Sequence, residues 1–281
     1  MSDACSTCSQ KEGCSGESCP GMPENKHNIR NVIAVMSGKG GVGKSSVTAM
    51  LAVALRNEGF KVGIMDADVT GPSIPRLFGL HGRLKNGEKG IQPAKTRSGI
   101  EVISLNLLLP NEDEPVIWRG PVISGVVKQF WTDVEWGELD YMLVDLPPGT
   151  GDVPLTVMQT LPLNGIIVVT TPQSLVTMIV KKAIHMADRM NIPVIGLVEN
   201  YTYVHCPDCD KRIELFGHDN TEEATGKMGV PLLGQLPLDP EFAAYSDRGE
   251  IENYFEEKTD VNETVANVAR LISKKYRNEV Q

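Results

Sequence analysis

Residues 35–46 read VMSGKGGVGKSS and decide the fold. They match the G-x-x-x-x-G-K-[ST] phosphate loop, in which the backbone N–H groups of a glycine-rich turn surround phosphate oxygens. The apolar run Val32–Met36 precedes the loop as a predicted buried strand, and an amphipathic helix with apolar positions from Val47 to Leu55 follows it. Because the motif requires this strand–loop–helix context, we expect a nucleoside triphosphate to bind here.

The residues of this loop have distinct expected roles. Lys44 is expected to reach the β- and γ-phosphates, and the Ser45 hydroxyl to bind Mg²⁺. The predicted nucleotide contacts in the loop are Gly38, Lys39, Gly40, Gly41, Val42, Gly43, Lys44, Ser45 and Ser46. Since the chain has no N-K-x-D guanine-reading tetrad, we expect ATP rather than GTP.

Two predicted strands end in carboxylates. Asp66 and Asp68 follow the run ending at Met65, and Asp145 ends the run Tyr141–Val144. Ligands of open α/β sheets bind at the carboxyl ends of the strands, so these side chains are expected near the phosphate loop. We predict that Asp145 contacts the Mg²⁺ water shell, that Asp68 orients the attacking water, and that Asp66 supports the metal.

Predicted strands and helices alternate after the first 27 residues. The further strands are Lys61–Met65, Glu101–Leu105, Tyr141–Val144, Ile166–Thr170 and Val194–Val198, and the further helices are Val122–Trp131, Leu175–Met190 and Val261–Tyr276. Residues 81–97 are predicted to form a polar loop. The strands are apolar throughout, which is typical of a parallel sheet with helices on both faces. We therefore predict one α/β domain of the P-loop NTPase type over residues 28–281, whose last helix buries Val261, Val265, Val268, Leu271 and Ile272.

Composition excludes several classes of protein. The chain has 281 residues, 41% of them hydrophobic, and a net charge of −9, which favours a globular protein and gives no support for nucleic-acid binding. No apolar run approaches the roughly 18 residues of a membrane span, and the N-terminus lacks the pattern of a secretion signal. We therefore expect a cytoplasmic protein with no membrane partner, in which disulfides are rare.

Four cysteines lie in the first 27 residues, a segment too poor in apolar side chains to form a core. They are Cys5, Cys8, Cys14 and Cys19, in the spacing C-x2-C-x5-C-x4-C. Four thiols at this density predict a metal site, either iron–sulfur or zinc, in an otherwise flexible tail.

Cys206 and Cys209 form a separate C-x-x-C pair. Two thiolates cannot complete a tetrahedral site or hold a [4Fe–4S] cluster, whereas a two-fold homodimer would present the pair twice. The spacing leaves zinc and iron–sulfur open. A redox dithiol or two unused thiols are the remaining readings, and we treat His205 as a loop residue rather than a ligand.

The phosphate loop carries a second lysine, Lys39, and so resembles the deviant Walker A loop of nucleotide-dependent dimerising ATPases. That resemblance implies that Lys39 reaches the nucleotide of a partner subunit. Together with it, four further segments resemble the Mrp/Nbp35 family of iron–sulfur P-loop ATPases. They are DADVTGPSIP at 66–75, DLPPGTGD at 145–152, VEN at 198–200 and CPDC at 206–209.

The resemblance implies an ATP-hydrolysing iron–sulfur carrier that transfers a cluster to apoproteins. It implies a [4Fe–4S] cluster bridged by Cys206 and Cys209 of two subunits, an adenine contact from Asn200, and a γ-phosphate sensor over residues 145–152. The expected catalytic residues are then Lys39, Lys44, Asp68 and Asp145. Cys5, Cys8 and Cys14 reproduce the x2–x5 part of the Nbp35 tail, but the cysteine upstream of it is missing and Cys19 lies downstream instead.

Two other functions compete with the carrier. Some proteins with the same phosphate loop act as ATP-driven positioning or partition switches on membranes or DNA. The basic residues Lys274, Lys275 and Arg277 near the end of the last helix would suit binding to a membrane surface. That helix lacks Trp and Phe, however, and acidic residues dilute its charge. A reductase that donates electrons through the cluster is the third function, and the C-x-x-C spacing disfavours it because nitrogenase-type iron proteins use well-separated cysteines.

Overall fold

The computed structural model describes residues 28–68, 71–88, 90–109, 120–172, 176–209, 211–216, 225–226, 229–256 and 260–277. The predicted tail 1–27, with Cys5, Cys8, Cys14 and Cys19, lies outside the described residues. Its boundary at residue 28 therefore stays a prediction.

The described residues form alternating strands and helices. The strands are β1 (Asn28–Ser37), β2 (Val62–Asp66), β3 (Ala94–Lys95), β4 (Glu101–Ile103), β5 (Glu138–Asp145), β6 (Gly165–Thr170), β7 (Val194–Glu199), β8 (Tyr203–His205), β9 (Arg212–Glu214) and β10 (Leu232–Gln235). The helices are α1 (Lys44–Asn57), α2 (Ile74–Leu77), α3 (Gly120–Thr132), α4 (Asp152–Thr160), α5 (Val176–Arg189), α6 (Pro240–Arg248), α7 (Ile251–Tyr254) and α8 (Asp260–Arg277).

In the described part of the chain, eight strands form one sheet in the order β10-β7-β6-β1-β5-β2-β4-β3. Neighbouring strands run parallel except for β3, which pairs antiparallel with β4 at one edge. The strand before the phosphate loop, β1, is central and lies between β5 and β6. This arrangement confirms the predicted mostly parallel α/β sheet.

The core is divided by the sheet. Alternate residues of β1 point to opposite faces, as strand geometry requires. Ile33 and Val35 pack in a cluster with α1 and α8, whereas Val32, Ala34 and Met36 pack in a cluster with α3, α4 and α5. Helices therefore cover both faces, as predicted, and burial on both sides explains why the strands are apolar throughout.

Three local predictions are corrected. The strand predicted over Glu101–Leu105 ends at Ile103, because Leu105–Leu107 form a 3₁₀ turn. The loop predicted over residues 81–97 contains the short edge strand β3. In α8, Leu271 is 51% exposed rather than buried. Successive helix residues lie about 100° apart, so Leu271 falls outside the buried stripe that Val268 and Ile272 share.

Candidate functional site

The phosphate loop connects the end of β1 to the start of α1, which begins at Lys44. Gly41 and Gly43 have φ angles of 78° and 77°, in the left-handed region that favours glycine. Gly43 is also tightly enclosed, because a Cβ atom there would collide with the Asn200 amide and lie 2.8 Å from Tyr201 Oη. The loop shape therefore depends on glycine for both conformation and space.

Asp145 lies at the centre of a hydrogen-bonded cluster below this loop. Its Oδ2 atom lies 2.7 Å from Lys44 Nζ and accepts a hydrogen bond from Ser45 Oγ at 2.6 Å. Its Oδ1 atom accepts a hydrogen bond from Thr48 Oγ1 at 2.8 Å. The carboxylate has no exposed surface, so these donors replace water around a buried charge. The structure thus brings Lys44, Ser45 and Asp145 together at one point.

Asp66 and Asp68 lie beside this cluster at the end of β2. Asp66 pairs with Asp145 in the β2–β5 register and is fully buried. Its Oδ1 atom accepts a hydrogen bond from the Asp68 backbone N–H at 3.2 Å, and its Oδ2 atom accepts one from Ser104 Oγ at 3.0 Å. Burial and the nearby Asp145 charge raise the pKa of Asp66 well above 3.8. Asp68 Oδ2 lies 3.8 Å from Lys44 Nζ.

Sequence reasoning missed two hydroxyl groups of this cluster. Thr48 lies one helical turn after Lys44, and the i, i+4 spacing places both on the same side of α1. That spacing is a signal that could have identified it. Ser104 follows β4, and only the pairing of β4 with β2 brings it to Asp66.

A cavity of about 280 Å³ lies above the cluster. Its walls include Gly40 to Ser46, Asp68, Ser73, Pro148 and Tyr201. Lys39 is partly exposed beside it, and its carbonyl accepts a hydrogen bond from Ser37 Oγ at 2.9 Å. The cavity therefore combines loop N–H groups and the Lys44 ammonium, which suit a triphosphate, with the Asp68 carboxylate at its wall.

A second cavity of about 210 Å³ adjoins the first and shares Ser46 and Tyr201 with it. Its walls include Met50, Leu236, Pro237, Phe242 and Asn200. Asn200 is buried, and its Nδ2 donates a hydrogen bond to the Val42 carbonyl at 3.0 Å. An apolar pocket with an amide at its edge has the size and chemistry for a nucleotide base.

The predicted sensor segment runs from the end of β5 to the start of α4. The Leu146 N–H donates to the Val35 carbonyl at 3.0 Å, and the Gly149 N–H donates to the Ser37 carbonyl at 2.8 Å. These bonds hold the segment against the strand that leads into the phosphate loop. Asp152 lies in the first turn of α4.

Cys206 and Cys209 lie in the turn between β8 and β9, an antiparallel ribbon outside the main sheet. The Cys206 N–H donates to the Lys211 carbonyl at 3.0 Å, which closes the ribbon. Both cysteines are free; Cys206 is partly exposed and Cys209 is exposed. Hydrogen bonds from the backbone N–H groups of Asp208 and Cys209, and then from the Cys209 thiol, lower the pKa of Cys206 from 9.0.

The thiol pair lacks further ligands within the described chain. Across the ranges that the structure describes, no three His, Cys, Asp or Glu side chains are grouped so that they could hold a metal ion. Ile213 of β9 is also exposed, as are Leu215 and Phe216 directly after that strand. His205 was predicted to be a loop residue, but it is the last residue of β8, because the antiparallel pairing with β9 extends to it. Its ring packs edge-to-face on Tyr203 with ring centroids 5.2 Å apart.

Comparison with known proteins identifies close relatives. The model of a ParA-type family, described as the NUBPL iron-transfer P-loop NTPase, matches residues 28–273. The iron-sulfur cluster carrier protein of Clostridium perfringens is 47% identical over 263 residues, which cover 91% of this chain and 92% of the relative.

Solved structures agree with the fold. A nucleotide-binding protein from Archaeoglobus fulgidus, solved in complex with ADP, is 47% identical with a TM-score of 0.73, covering 80% of this chain and 89% of that one. The MinC:MinD cell division protein complex of Aquifex aeolicus is 21% identical with a TM-score of 0.64, and the match covers 87% of this chain and 96% of that one. This second likeness concerns the fold alone.

None of the described helices combines the length and the apolar character that crossing a membrane requires.

Proposed function

This chain belongs to the family of NUBPL iron-transfer P-loop NTPases, and from that premise we propose that it is an ATP-binding carrier of a [4Fe–4S] cluster, which it transfers to apoproteins. One observation carries the proposal: a free, solvent-accessible thiol pair lies on a ribbon that continues directly from the nucleotide pocket. Such a pair is incomplete as a metal site within one chain, and it is accessible to a recipient protein.

The first part of the proposal concerns the phosphates. Lys44 and the loop N–H groups from Gly38 to Ser46 bind the triphosphate. Ser45 and Asp145 supply hard oxygen donors 2.6 Å apart, which fits Mg²⁺, an ion that uses few protein ligands and keeps several waters. When bound, Mg²⁺ neutralises charge on the β- and γ-phosphate oxygens.

The second part concerns hydrolysis. Asp68 faces the phosphate cavity and orients the attacking water, while Asp66 holds the Asp68 backbone through its hydrogen bond and so supports the metal site indirectly. Lys39 lies beside the cavity and serves the nucleotide of the partner subunit. Hydrolysis is coupled to cluster transfer through the segment 145–152.

The base is proposed to occupy the second cavity, next to Asn200. Met50, Leu236 and Phe242 provide apolar walls, and Ser46 lies between the two cavities. The shared wall allows one ATP molecule to extend from the phosphate loop into this pocket.

The cluster is proposed to be shared by two copies of the chain. Isologous symmetry places Cys206 and Cys209 opposite the same pair of the partner and so supplies four thiolates. The lowered pKa of Cys206 favours the thiolate that binds iron. Exposed ligands at a subunit boundary favour transfer over storage.

The remaining predictions stay part of this proposal. The tail cysteines form a second metal site, iron–sulfur or zinc, on a segment separate from the domain 28–281. The recipients are apo iron–sulfur proteins in the cytoplasm, without nucleic acid or membrane partners. The positioning-switch alternative rests on MinD-like proteins, whose likeness at 21% identity extends only to the fold.

A transfer assay tests the proposed function. The full-length chain is reconstituted anaerobically with iron and sulfide, then mixed with an apoprotein whose activity needs a [4Fe–4S] cluster. We expect recipient activity to appear with the wild type, and to be lost with C206S/C209S. The matched control C5S/C8S/C14S/C19S removes the other four thiols and should still transfer.

The same assay tests coupling to ATP. Addition of ATP and Mg²⁺ should change the transfer rate of the wild type but not that of Lys44→Ala. Transfer by C206S/C209S at the wild-type rate would contradict the assignment of these two thiols as the carrier site.

A further inference from the structure

The nucleotide pocket and the thiol ribbon are joined by a very short stretch of chain. Strand β7 ends at Glu199, and β8 begins at Tyr203. Between them, Asn200 lines the second cavity and Tyr201 lines both cavities. Cys206 is only six residues after Asn200. A displacement of this stretch therefore reaches the thiols if the connection between Tyr201 and β8 is rigid.

The stretch is in direct contact with the phosphate loop. Asn200 donates its hydrogen bond to the Val42 carbonyl, and the Tyr201 ring lies so close to Gly43 that a Cβ atom there would be 2.8 Å from Tyr201 Oη. Tyr201 lines both cavities. Any rearrangement of Val42 and Gly43 around phosphate must therefore move the Tyr201 ring or be resisted by it.

The backbone at Tyr201 is strained. Its φ is 60°, and among the described non-glycine residues only Asn191, at 54°, shares a positive φ. A bulky residue in this region costs on the order of 1–3 kcal/mol and persists only where its surroundings impose it. Asn191 precedes β7, whereas Tyr201 follows it, so the two residues lie at opposite ends of the same strand.

Hydrogen bonds hold the chain in place directly after Tyr201. The Thr202 N–H and hydroxyl both donate to the Leu236 carbonyl at 2.9 Å, and the Leu238 N–H donates to the Tyr203 carbonyl at 2.8 Å. These bonds tie the start of β8 to the segment that also lines the second cavity. Because these bonds leave no loose chain between Tyr201 and β8, a shift at Tyr201 is passed on to β8 together with the segment 236–238.

We propose that Tyr201 is a positioning residue that sets the orientation of the Cys206–Cys209 turn according to the state of the phosphate loop. The Tyr201 ring lies next to Gly43. The left-handed backbone conformation of Tyr201 sets the direction in which the chain enters β8. Nucleotide binding changes the loop, Tyr201 follows, and the exposure of the two thiols changes. The inference deepens the proposed function, since the thiols are the proposed cluster ligands, but the link itself requires no cluster.

Thiol reactivity in the metal-free, full-length protein tests this link. The rates of alkylation of Cys206 and Cys209 by iodoacetamide are measured by peptide mass spectrometry without nucleotide, with ADP, and with Mg²⁺ and the non-hydrolysable analogue AMPPNP. Each variant is studied at nucleotide concentrations that saturate it in a binding titration. Light scattering checks that the wild type and each variant have the same mass in a given nucleotide state, so that a difference in response between them is not a difference in assembly.

Three variants separate the ring from the backbone. Tyr201→Gly removes the ring and relieves the strain, and Asn191→Gly relieves the same strain at the far end of β7. Tyr201→Phe removes Oη but keeps the ring, whose Cζ atom would lie 3.2 Å from a Cβ atom at Gly43. We expect nucleotide to change the alkylation rates of the wild type, Tyr201→Phe and Asn191→Gly by about fivefold or more, the usual scale of coupling between sites. Tyr201→Gly should lose this response.

Three results would overturn the link: a full response in saturated Tyr201→Gly, the absence of any response in the wild type, or loss of the response in Asn191→Gly as well. Failure of the carrier role is seen separately. It would appear as a chain that forms no transferable cluster although its thiols still respond to nucleotide.

Discussion

At the scale of single residues, Asp145 organises the phosphate site. One buried carboxylate accepts hydrogen bonds from Ser45 and Thr48 and contacts the Lys44 ammonium. Three partners around one charge hold the side chains in place before the nucleotide arrives, which lowers the entropy cost of binding. The thiols lack such a network within the described chain, because Cys206 and Cys209 have only each other and the backbone of their turn.

The Cys206 thiol yields a prediction about pH. Because N–H groups of Asp208 and Cys209 stabilise its thiolate, the pKa of Cys206 lies below 9.0. The thiolate is the nucleophile, so the alkylation rate should reach half its maximum below pH 9.0 and remain high as the pH rises further. A pH series of iodoacetamide rates in metal-free protein, resolved by peptide, measures this midpoint. A midpoint at or above 9.0 would contradict the hydrogen-bonded turn.

Residues of the loop motif and residues at predicted strand ends could be predicted, whereas residues that reach the loop through tertiary contacts alone could not. Lys44 and Ser45 follow from the motif, and Asp145 follows from its place at a strand end. Tyr201 gives no comparable signal, because its importance comes from a contact with Gly43, which lies far from it along the chain. A single sequence shows neither that contact nor the positive φ of Tyr201.

At the scale of elements, the phosphate loop depends on Gly43 in two ways. Gly43→Ala forces a side chain into left-handed backbone and against Asn200, whereas Gly59→Ala, at φ 91°, meets no atom within 4 Å. Gly59→Ala should lose about 1–3 kcal/mol of unfolding free energy from backbone strain alone. Gly43→Ala should lose at least as much, because the contact with Asn200 adds to the strain. Only Gly43→Ala should also weaken ADP binding, by roughly tenfold or more. The added methyl group disfavours the loop conformation that binds ADP, and about 1.4 kcal/mol of such a penalty lowers the affinity tenfold.

Chemical denaturation and calorimetric titration with ADP distinguish these effects. Equal ADP affinity in both variants would show that the space beside Gly43 does not matter for the nucleotide.

The register of α8 supplies a second test at this scale. The apolar pattern correctly predicted a helix packed on the sheet, but it included Leu271, which the helix leaves 51% exposed, whereas Ile272 has no exposed surface. Ile272→Ala should cost about 2–5 kcal/mol because it leaves a cavity. Leu271→Ala should change the free energy of unfolding by no more than about 0.5 kcal/mol, as is usual for substitutions on the surface.

Urea denaturation of the two variants measures the difference. A larger loss for Leu271→Ala than for Ile272→Ala would mean that α8 packs on the sheet through a different face.

Small elements were the hardest to predict. The ribbon β8–β9 has three residues in each strand, and every residue of β9 is exposed. Neither an alternation of apolar and polar residues nor an apolar run marks such strands. The motif therefore identified the two thiols, but the strands that carry them were not predicted. The edge strand β3 has two residues and escaped prediction for the same reason.

At the scale of the whole molecule, the order of strands explains why the two sites are neighbours. β1 leads into the phosphate loop, and β7 leads into Asn200 and the thiol ribbon, with only β6 between them in the sheet. Because these strands are parallel, their carboxyl ends share one edge. The alternation of strands and helices predicted this edge as the site. It did not predict the strand order, which depends on packing across the whole sheet.

The central claim is that two copies of the chain share one [4Fe–4S] cluster through Cys206 and Cys209. Native mass spectrometry of the anaerobically reconstituted, full-length C5S/C8S/C14S/C19S variant tests it most directly, since no tail cysteine can then hold metal. We predict a mass of two chains plus a single [4Fe–4S] cluster, which disappears when Cys206→Ser and Cys209→Ser are added. A cluster carried by a single chain, or one that survives loss of both thiols, would contradict this claim.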